Sequence, residues 1–149
     1  MGIRSREQLA MNVRLSKDQK IKIGSPEDIY SIMQQILLRE SRVGREKEHF
    51  WVIGLATSNK ISYIELVSLG SISAAIVNPL EVFNLAVRKK SPKIILVHNH
   101  PSENIEPSSS DKNITSSIVE GGKTLTIEVL DHLVISEESY YSFAENGLL

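Results

Sequence analysis

His98, His100 and Asp111 are the residues of this sequence whose types and spacing best suit metal chemistry. The two histidines follow an apolar run, residues 94–97, that predicts a buried strand. Alternate side chains of a strand point to the same face, so both imidazoles are expected to face the same way. Two nitrogens and one carboxylate oxygen suit zinc and leave its fourth position open, which is typical of a catalytic zinc site rather than a structural one.

Each of these residues also has an explanation without chemistry. Ser108 and Asp111 form the pattern of a capping box, in which both side chains satisfy free amides at the start of a helix. A single histidine at the end of a strand is usually structural. Metal binding is favoured because the two histidines share a face, and because Pro101 and Pro107 bracket a short loop that can return Asp111 to them.

The composition is that of a globular chain with one domain. Its 149 residues are 41% apolar and 23% charged, and the net charge of -1 creates no field that would attract nucleic acid or membranes. The lack of cysteine excludes a disulfide framework. No apolar run approaches the roughly 18 residues of a membrane span, and the N-terminus lacks the apolar stretch of a signal peptide. We therefore expect a cytoplasmic protein without membrane contact.

Residues 1–24 are expected to form a basic leader that is partly extended or disordered, ahead of a domain at residues 25–149. A solvated charge run is the commoner explanation of such a segment, and nucleic-acid contact is the alternative. Residues 1–22 contain six basic side chains against two acidic ones: Arg4, Arg6, Arg14, Lys17, Lys20 and Lys22, against Glu7 and Asp18.

The remaining sequence predicts an α/β chain of the α+β type, with a mixed sheet flanked by helices. Ser25 and Pro26 begin a helix whose apolar stripe is Ile29, Ile32, Met33, Ile36 and Leu37. Residues 78–81 cap a second helix, expected to bury Leu80, Phe83 and Val87. Further helices are expected at residues 109–121 and, as a short turn, at 139–143. Strands are expected at residues 50–55, 61–69, 71–76, 93–98 and 125–135.

The spacing of the metal-type residues resembles the JAMM motif of the MPN/JAB metallopeptidase superfamily. It reads His98-x-His100, seven residues, Ser108, two residues, Asp111. The string at residues 98–102, the sequence at residues 130–135 and the ending at residues 142–149 are similar to the RadC branch of that superfamily. The resemblance covers roughly residues 25–149, and it implies a single MPN/JAB-like domain of cytidine deaminase-like architecture.

The resemblance implies a zinc-dependent metallohydrolase that cleaves an amide or isopeptide bond of a peptide or protein. One Zn²⁺ per chain would be held by His98, His100 and Asp111. Ser108 would cap its helix and also donate a hydrogen bond to the oxyanion that forms when water attacks a carbonyl.

The resemblance also implies a glutamate from an early strand, which is not a zinc ligand and takes a proton from the attacking water. Glu48, next to the apolar run at residues 50–55, fits this role. Glu46 is the nearest rival, followed by Glu65 and Glu81.

The loop after His100 departs from the RadC pattern. RadC-like loops usually read His-Pro-Ser-Gly with a proline two residues later, whereas this sequence has Glu103 and Ile105 at those places. Glycine adopts backbone angles that glutamate disfavours. Loop shape and substrate access are therefore expected to be affected, but the ligand residues are not.

Asp131 is expected on an apolar strand face with Leu125, Ile127, Val129, Leu133 and Ile135, where a carboxylate needs a partner. A structural hydrogen bond is the favoured explanation, and orientation of a zinc-binding histidine is the alternative. His49 and His132 are interpreted as structural residues rather than ligands.

A second function remains open from the sequence. The chain could be a non-catalytic, metal-stabilised module in DNA repair or mobile-element function that contacts nucleic acid or a protein partner. Larger RadC proteins carry an N-terminal helix-hairpin-helix region, for which the first 25 residues are too short, so a DNA-binding role is weakened. The sequence leaves the oligomeric state open, a homodimer included.

Overall fold

The structure is a computed structural model that describes Val13, Leu15 and residues 21–149. Apart from Lys22, the charged residues of the predicted leader lie outside the described residues. At its described end, Ile23 is buried in the core, and its N–H donates to the carbonyl of Asn59 at 2.9 Å.

Residues 21–149 contain a short helix besides three longer ones, and five strands. None of these helices is both long and apolar enough to cross a bilayer. The elements are α1 (Pro26–Leu38), α2 (Arg42–Arg45), β1 (Glu48–Leu55), β2 (Ile61–Gly70), α3 (Pro79–Lys89), β3 (Lys93–Asn99), α4 (Ser109–Leu125), β4 (Glu128–Ile135) and β5 (Tyr140–Ser142).

The five strands form one mixed sheet in the order β2-β1-β3-β4-β5. β1 pairs antiparallel with both β2 and β3, and β4 pairs antiparallel with β5. β3 and β4 are parallel, and α4 is the crossover between them. The predicted α+β domain with a mixed sheet and flanking helices is therefore confirmed.

Helices cover both faces of the sheet, so the strands at its centre are buried on both sides. α1 lies on one face and packs its predicted stripe against Trp51, Ile53, Ile95 and Val97, among others. α3 and α4 lie on the other face, where the core contains Phe50, Val52, Phe83, Ile94, Leu96, Ile114 and Ile118. The even residues of β3 face α3 and α4, which places His98 on that side.

The strand expected at residues 71–76 is wrong. β2 ends at Gly70, whose φ of 100° is a conformation that other residues rarely adopt. The Ser68 hydroxyl then donates to the Ser71 carbonyl, and the Val77 N–H donates to the Ser73 carbonyl. These local bonds fold the segment into turns that lead to α3.

The buried face predicted for α3 is partly wrong. Leu80 is 77% exposed and Val87 is 51% exposed, whereas Phe83 is buried as expected. The buried face also contains Val82 and Ala86, which lie next to Phe83 on the helix. Leu80, Phe83 and Val87 lie along one stripe of the helix, and the face that packs on the sheet is rotated from that stripe toward Val82 and Ala86.

Two boundaries near the C-terminus also differ from the expectation. α4 continues to Leu125, and β4 begins at Glu128 rather than at residue 125. The helical turn expected at residues 139–143 is instead β5, because Tyr140–Ser142 pairs with the end of β4.

The residues expected on one face of β4 with Asp131 are divided between the two faces of the sheet. The register with β3 shifts between Val129 and Asp131, which leaves Leu130 as an extra residue in the strand. Leu133 packs in the α1-side core as expected, but Ile127 belongs to the core on the other face. The bulge exchanges the two faces of β4, a feature that strict alternation does not predict.

Candidate metal centre

The end of β3 brings two imidazoles together at the edge of the α3–α4 face. His98 is 1% exposed, and His100 follows just beyond the strand. Their Nε2 atoms lie 3.1 Å apart. The expected common orientation of these two side chains is therefore present.

The start of α4 brings the carboxylate. Ser108 is the N-cap residue: its Oγ accepts from the Asp111 N–H at 3.0 Å, and Asp111 Oδ2 accepts from the Ser108 N–H at 2.8 Å. The same carboxylate reaches both histidines, with Oδ1 3.3 Å from Nε2 of His98 and Oδ2 3.2 Å from Nε2 of His100. One ligand-type atom from each of the three residues lies within 4.8 Å of the others, so this cluster could hold a metal ion.

Hydrogen bonds within the cluster set the protonation of His100 and Asp111. Nδ1 of His100 lies 2.7 Å from the carbonyl of Asn104, which can only accept, so this nitrogen carries a proton and Nε2 faces the cluster. The hydrogen bond to Asp111 raises the pKa of His100 despite its partial burial. Burial opposes ionisation of Asp111, but hydrogen bonds with His100 and His98 outweigh it and lower its pKa well below the usual range.

His132 contacts this cluster from behind, and the sequence interpretation did not assign it that place. Its Nε2 lies 2.7 Å from Nδ1 of His98, on the side of the ring opposite to the cluster. His132 is fully buried, and burial together with the neighbouring His98 lowers its pKa well below the ordinary value. The signal available in the sequence was a histidine inside a buried strand, but the bulge at Leu130 hid which face it would occupy.

Asp131 has the structural role that was favoured for it. One oxygen accepts from the His132 N–H at 2.7 Å and from the Ala144 N–H at 3.0 Å, and the other accepts from the Ser142 hydroxyl at 2.6 Å. These bonds tie β4 to β5 and to the turn after it. His49 is also outside the cluster, with Nδ1 2.8 Å from the carbonyl of Lys47.

Glu48 lies next to the cluster because β1 and β3 pair. Phe50 is opposite His98, and the two-residue period of a strand puts Glu48 on the same face. Its charge contributes to the raised pKa of His100. Asn99 on β3 fixes the backbone on both sides of Glu48: its Oδ1 accepts from the His49 N–H at 2.6 Å, and its Nδ2 donates to the Lys47 carbonyl at 3.0 Å.

A cleft of about 930 Å³ opens over these residues, and Glu48, His100, Ser108 and Asp111 all line it. Its other walls come from the residues before β1, the end of β2 and the loop between β3 and α4. They include Glu46, Lys47, Gly70, Ile72, Pro101, Ser102, Asn104, Glu106, Pro107 and Ser110. Of the four glutamates considered for proton transfer, Glu46 and Glu48 line this cleft, whereas Glu65 and Glu81 are not among its lining residues.

The unusual loop residue Glu103 adopts φ of 68°, a left-handed conformation that favours glycine. Its N–H donates to the carbonyl of His100 at 3.2 Å, which closes a tight turn directly after β3. The loop thus keeps a backbone shape suited to glycine although the residue there is glutamate.

The sequence of the chain matches a known protein family. A family model described as the RadC-like JAB domain matches residues 23–148. The chain belongs to this RadC family. The matched residues include every strand and helix given for this RadC domain.

Several relatives share most of this RadC domain. A UPF0758 protein of Chlorobium chlorochromatii is 38% identical over 95% of this chain and 62% of its own length. A UPF0758 protein of Methanosarcina mazei is 42% identical over 89% of this chain and 56% of its own length. One of Alkaliphilus metalliredigens is 40% identical over 100% of this chain and 65% of its own length. The chain therefore spans less than two thirds of the length of these relatives, and their names indicate no activity.

Proposed function

We propose that this RadC domain is a zinc-dependent hydrolase that cleaves an amide or isopeptide bond of a peptide or protein in the cytoplasm. The observation that carries the proposal is the convergence of three ligand-type atoms at the wall of an open cleft. Nε2 of His98, Nε2 of His100 and the Asp111 carboxylate face one another, and one Zn²⁺ per chain would be held there. A three-residue donor set of this chemistry leaves a position open.

The donor set fits a cation on electrostatic grounds. The Nε2 atoms of His98 and His100 lie 3.1 Å apart, and both face the Asp111 carboxylate, so a divalent cation could take the place of the protons between them. The low pKa of Asp111 means that its carboxylate remains charged beside them. A bound zinc ion would supply a Lewis acid, which lets water act as a nucleophile near neutral pH.

The residues of the chain would do the rest of the chemistry. Glu48 would take the proton of the attacking water at its carboxylate and pass it to the departing amine. Ser108 Oγ accepts the Asp111 N–H in the cap, so its own hydroxyl proton can be donated to the carbonyl oxygen as negative charge develops there.

The charge of the cleft argues against nucleic acid as its ligand. Glu46, Glu48 and Glu106 line it together with Asp111, against the single ammonium of Lys47 among the lining residues. A phosphate backbone would be repelled by these carboxylates. DNA binding with a steep salt dependence, lost when residues 1–22 are deleted, would instead support the non-catalytic alternative.

The proposal is tested by incubating zinc-loaded protein with libraries of peptides and lysine-linked isopeptides and identifying cleaved bonds by mass spectrometry. We expect cleavage of at least one class, and none by the His98→Ala/His100→Ala variant. If the protein binds zinc stoichiometrically but cleaves no member of either library, the hydrolase proposal is overturned in favour of a metal-stabilised module.

A further inference from the structure

A continuous buried chain of hydrogen bonds joins two of the residues proposed to bind zinc. The Thr115 hydroxyl donates to the backbone carbonyl of Asp111 at 2.7 Å. The Thr115 oxygen lies 2.6 Å from Nδ1 of His132, whose Nε2 lies 2.7 Å from Nδ1 of His98. Thr115, His132 and His98 are 3%, 0% and 1% exposed. Solvent therefore does not compete for these polar atoms.

The direction of each hydrogen bond follows from the number of protons available. A carbonyl oxygen can only accept, so the one proton of the Thr115 hydroxyl goes to Asp111. The Thr115 oxygen must then accept, which puts the single proton of a neutral His132 ring on Nδ1. Nε2 of His132 is left with a lone pair, and it accepts a hydrogen bond from the Nδ1–H of His98. When the His98 ring is neutral, its one proton is therefore on Nδ1, and Nε2 faces the cluster with a lone pair that can bind a cation.

We propose that Thr115 and His132 are positioning residues that fix the tautomer of His98 in the form able to bind a cation. Both act through His98, since neither His132 nor Thr115 belongs to the group of residues that could hold the ion. The inference rests on the proposed function only where it takes His98 to be a zinc ligand.

The ring plane of His132 is fixed by its aromatic neighbours, as this role requires. Phe143 stacks on it with ring centroids 4.5 Å apart and planes at 16°. Phe50 packs edge-on at 5.7 Å and 70°. The Phe143 N–H also donates to the His132 carbonyl at 3.0 Å, so backbone and ring are held by the same residue.

The series of hydrogen bonds also connects the two elements that carry the proposed ligands. α4 supplies the Asp111 carboxylate to the cluster and, one turn later, the Thr115 hydroxyl to His132. β3 supplies His98, and β4 supplies His132 between them. The position of α4 that brings the Asp111 carboxylate to the cluster therefore also brings Thr115 to His132, and so determines which nitrogen of His98 carries the proton.

A matched pair of variants tests the inference. Thr115→Val keeps the shape of the side chain but removes the acceptor for His132, whereas Thr115→Ser keeps the hydroxyl. We expect Thr115→Val to weaken Zn²⁺ binding about 10–100-fold, the usual effect of losing a group that orients a metal ligand. Thr115→Ser should bind Zn²⁺ with an affinity close to the parent value. Affinity is measured by competition with a chromophoric chelator, and urea unfolding checks that each variant folds.

A spectroscopic measurement on the parent protein and on Thr115→Val detects the tautomers directly. In the metal-free protein, long-range ¹H–¹⁵N spectra of the imidazoles should show the proton of His98 and of His132 on Nδ1. In Thr115→Val, the His98 proton should move at least partly to Nε2. A parent protein whose His98 proton is on Nε2, or a Thr115→Val protein with parental Zn²⁺ affinity and parental tautomers, would overturn the inference.

These outcomes are separate from those of the library experiment. If the spectra show the expected tautomers but the protein cleaves no library member, the hydrolase proposal is refuted and the positioning role of Thr115 and His132 stands. If the protein cleaves a library member but Thr115→Val changes neither the tautomer of His98 nor the Zn²⁺ affinity, the hydrolase proposal stands and the positioning role is refuted.

Discussion

Glu48 is the residue whose proposed role can be separated most cleanly from metal binding. It lies on the face of β1 that carries Phe50, opposite His98 on β3. The side chain of Asn99 holds the peptide groups before and after it. Because these contacts involve the backbone of Glu48, a change of its side chain should leave the strand pairing in place.

Glu48→Gln should retain zinc and lose hydrolysis. Glutamine keeps the size and hydrogen bonding of the side chain but cannot take a proton, so we expect turnover to fall by about 10²-fold or more. The matched control is Glu46→Gln, which changes another carboxylate of the same cleft and should keep most of the activity. Turnover and bound zinc are measured for both, and the opposite pattern would assign the proton transfer to Glu46.

Replacing Glu103 by glycine should relieve backbone strain and stabilise the protein. Its φ of 68° costs a residue with a side chain roughly 1–2 kcal/mol, and glycine's greater freedom in the unfolded chain offsets about 0.5–1 kcal/mol of that. We therefore expect Glu103→Gly to be more stable than Glu103→Ala by about 0.5–1 kcal/mol in urea unfolding. Equal stabilities for the glycine and alanine variants would show that this backbone conformation is not strained.

At the level of elements, the junction between α4 and β4 places His132 against His98. The C-cap residue after α4 is Thr126, with φ of 60°, and the Ile127 N–H donates to the Gly122 carbonyl at 2.8 Å. A Cβ on Gly122 would lie 2.4 Å from the Ile127 carbonyl oxygen, an atom of the backbone that cannot move without shifting β4. The close approach of helix and strand therefore depends on glycine here.

The neighbouring glycines offer a matched pair. Gly122→Ala should lower the free energy of unfolding by roughly 1–3 kcal/mol, as overpacking does. A Cβ on Gly121 would meet only side chains, with Pro79 at 3.2 Å and Phe83 at 3.3 Å. Gly121→Ala also gains about 0.5–1 kcal/mol of helix propensity, so it should change stability little. Equal losses in urea unfolding of the two variants would rule out the backbone clash as the cause.

Local patterns were sufficient to predict the elements that carry the proposed ligands. An apolar run followed by His98 and His100 predicted the buried strand, and the spacing of Ser108 and Asp111 predicted the cap that starts α4. These signals lie within a few residues of one another. Their mutual approach required only a short loop, which the prolines of the sequence indicated.

Features that depend on distant pairing could not be predicted in this way. The place of His132 depends on the bulge at Leu130, which is visible only in the register of β4 against β3. The residues buried by α3 depend on how that helix lies on the sheet, so Leu80 was expected in the core and is exposed. The site residues were therefore easier to predict than the residues that support them.

At the scale of the whole molecule, zinc should bind only the folded protein, because the proposed zinc-binding residues come from the ends of β3 and α4 and meet only when the chain is folded. At a free zinc concentration of 100 times Kd, binding stabilises a native protein by about 2.7 kcal/mol. For a chain of this size that raises Tm by roughly 5–10 °C. Thermal unfolding followed by circular dichroism, with zinc and with excess chelator, measures the shift.

The His98→Ala/His100→Ala variant is the control for that experiment. Whatever the Tm of this variant without zinc, added zinc should not alter it. A zinc-dependent rise of Tm that persists in this variant would place the metal somewhere other than the proposed cluster.

The pairing of β1 with two partners has a consequence for how the chain folds. β1 and β2 are adjacent in sequence and joined by a tight turn, whereas β3 lies far along the chain. Contacts between distant segments form late because a long loop must close first. Trp51, the one tryptophan of the chain, is opposite Val97 in the later pairing. In stopped-flow refolding, zinc capture and the change in tryptophan fluorescence should thus share one rate, and capture that precedes the fluorescence change would contradict this order of events.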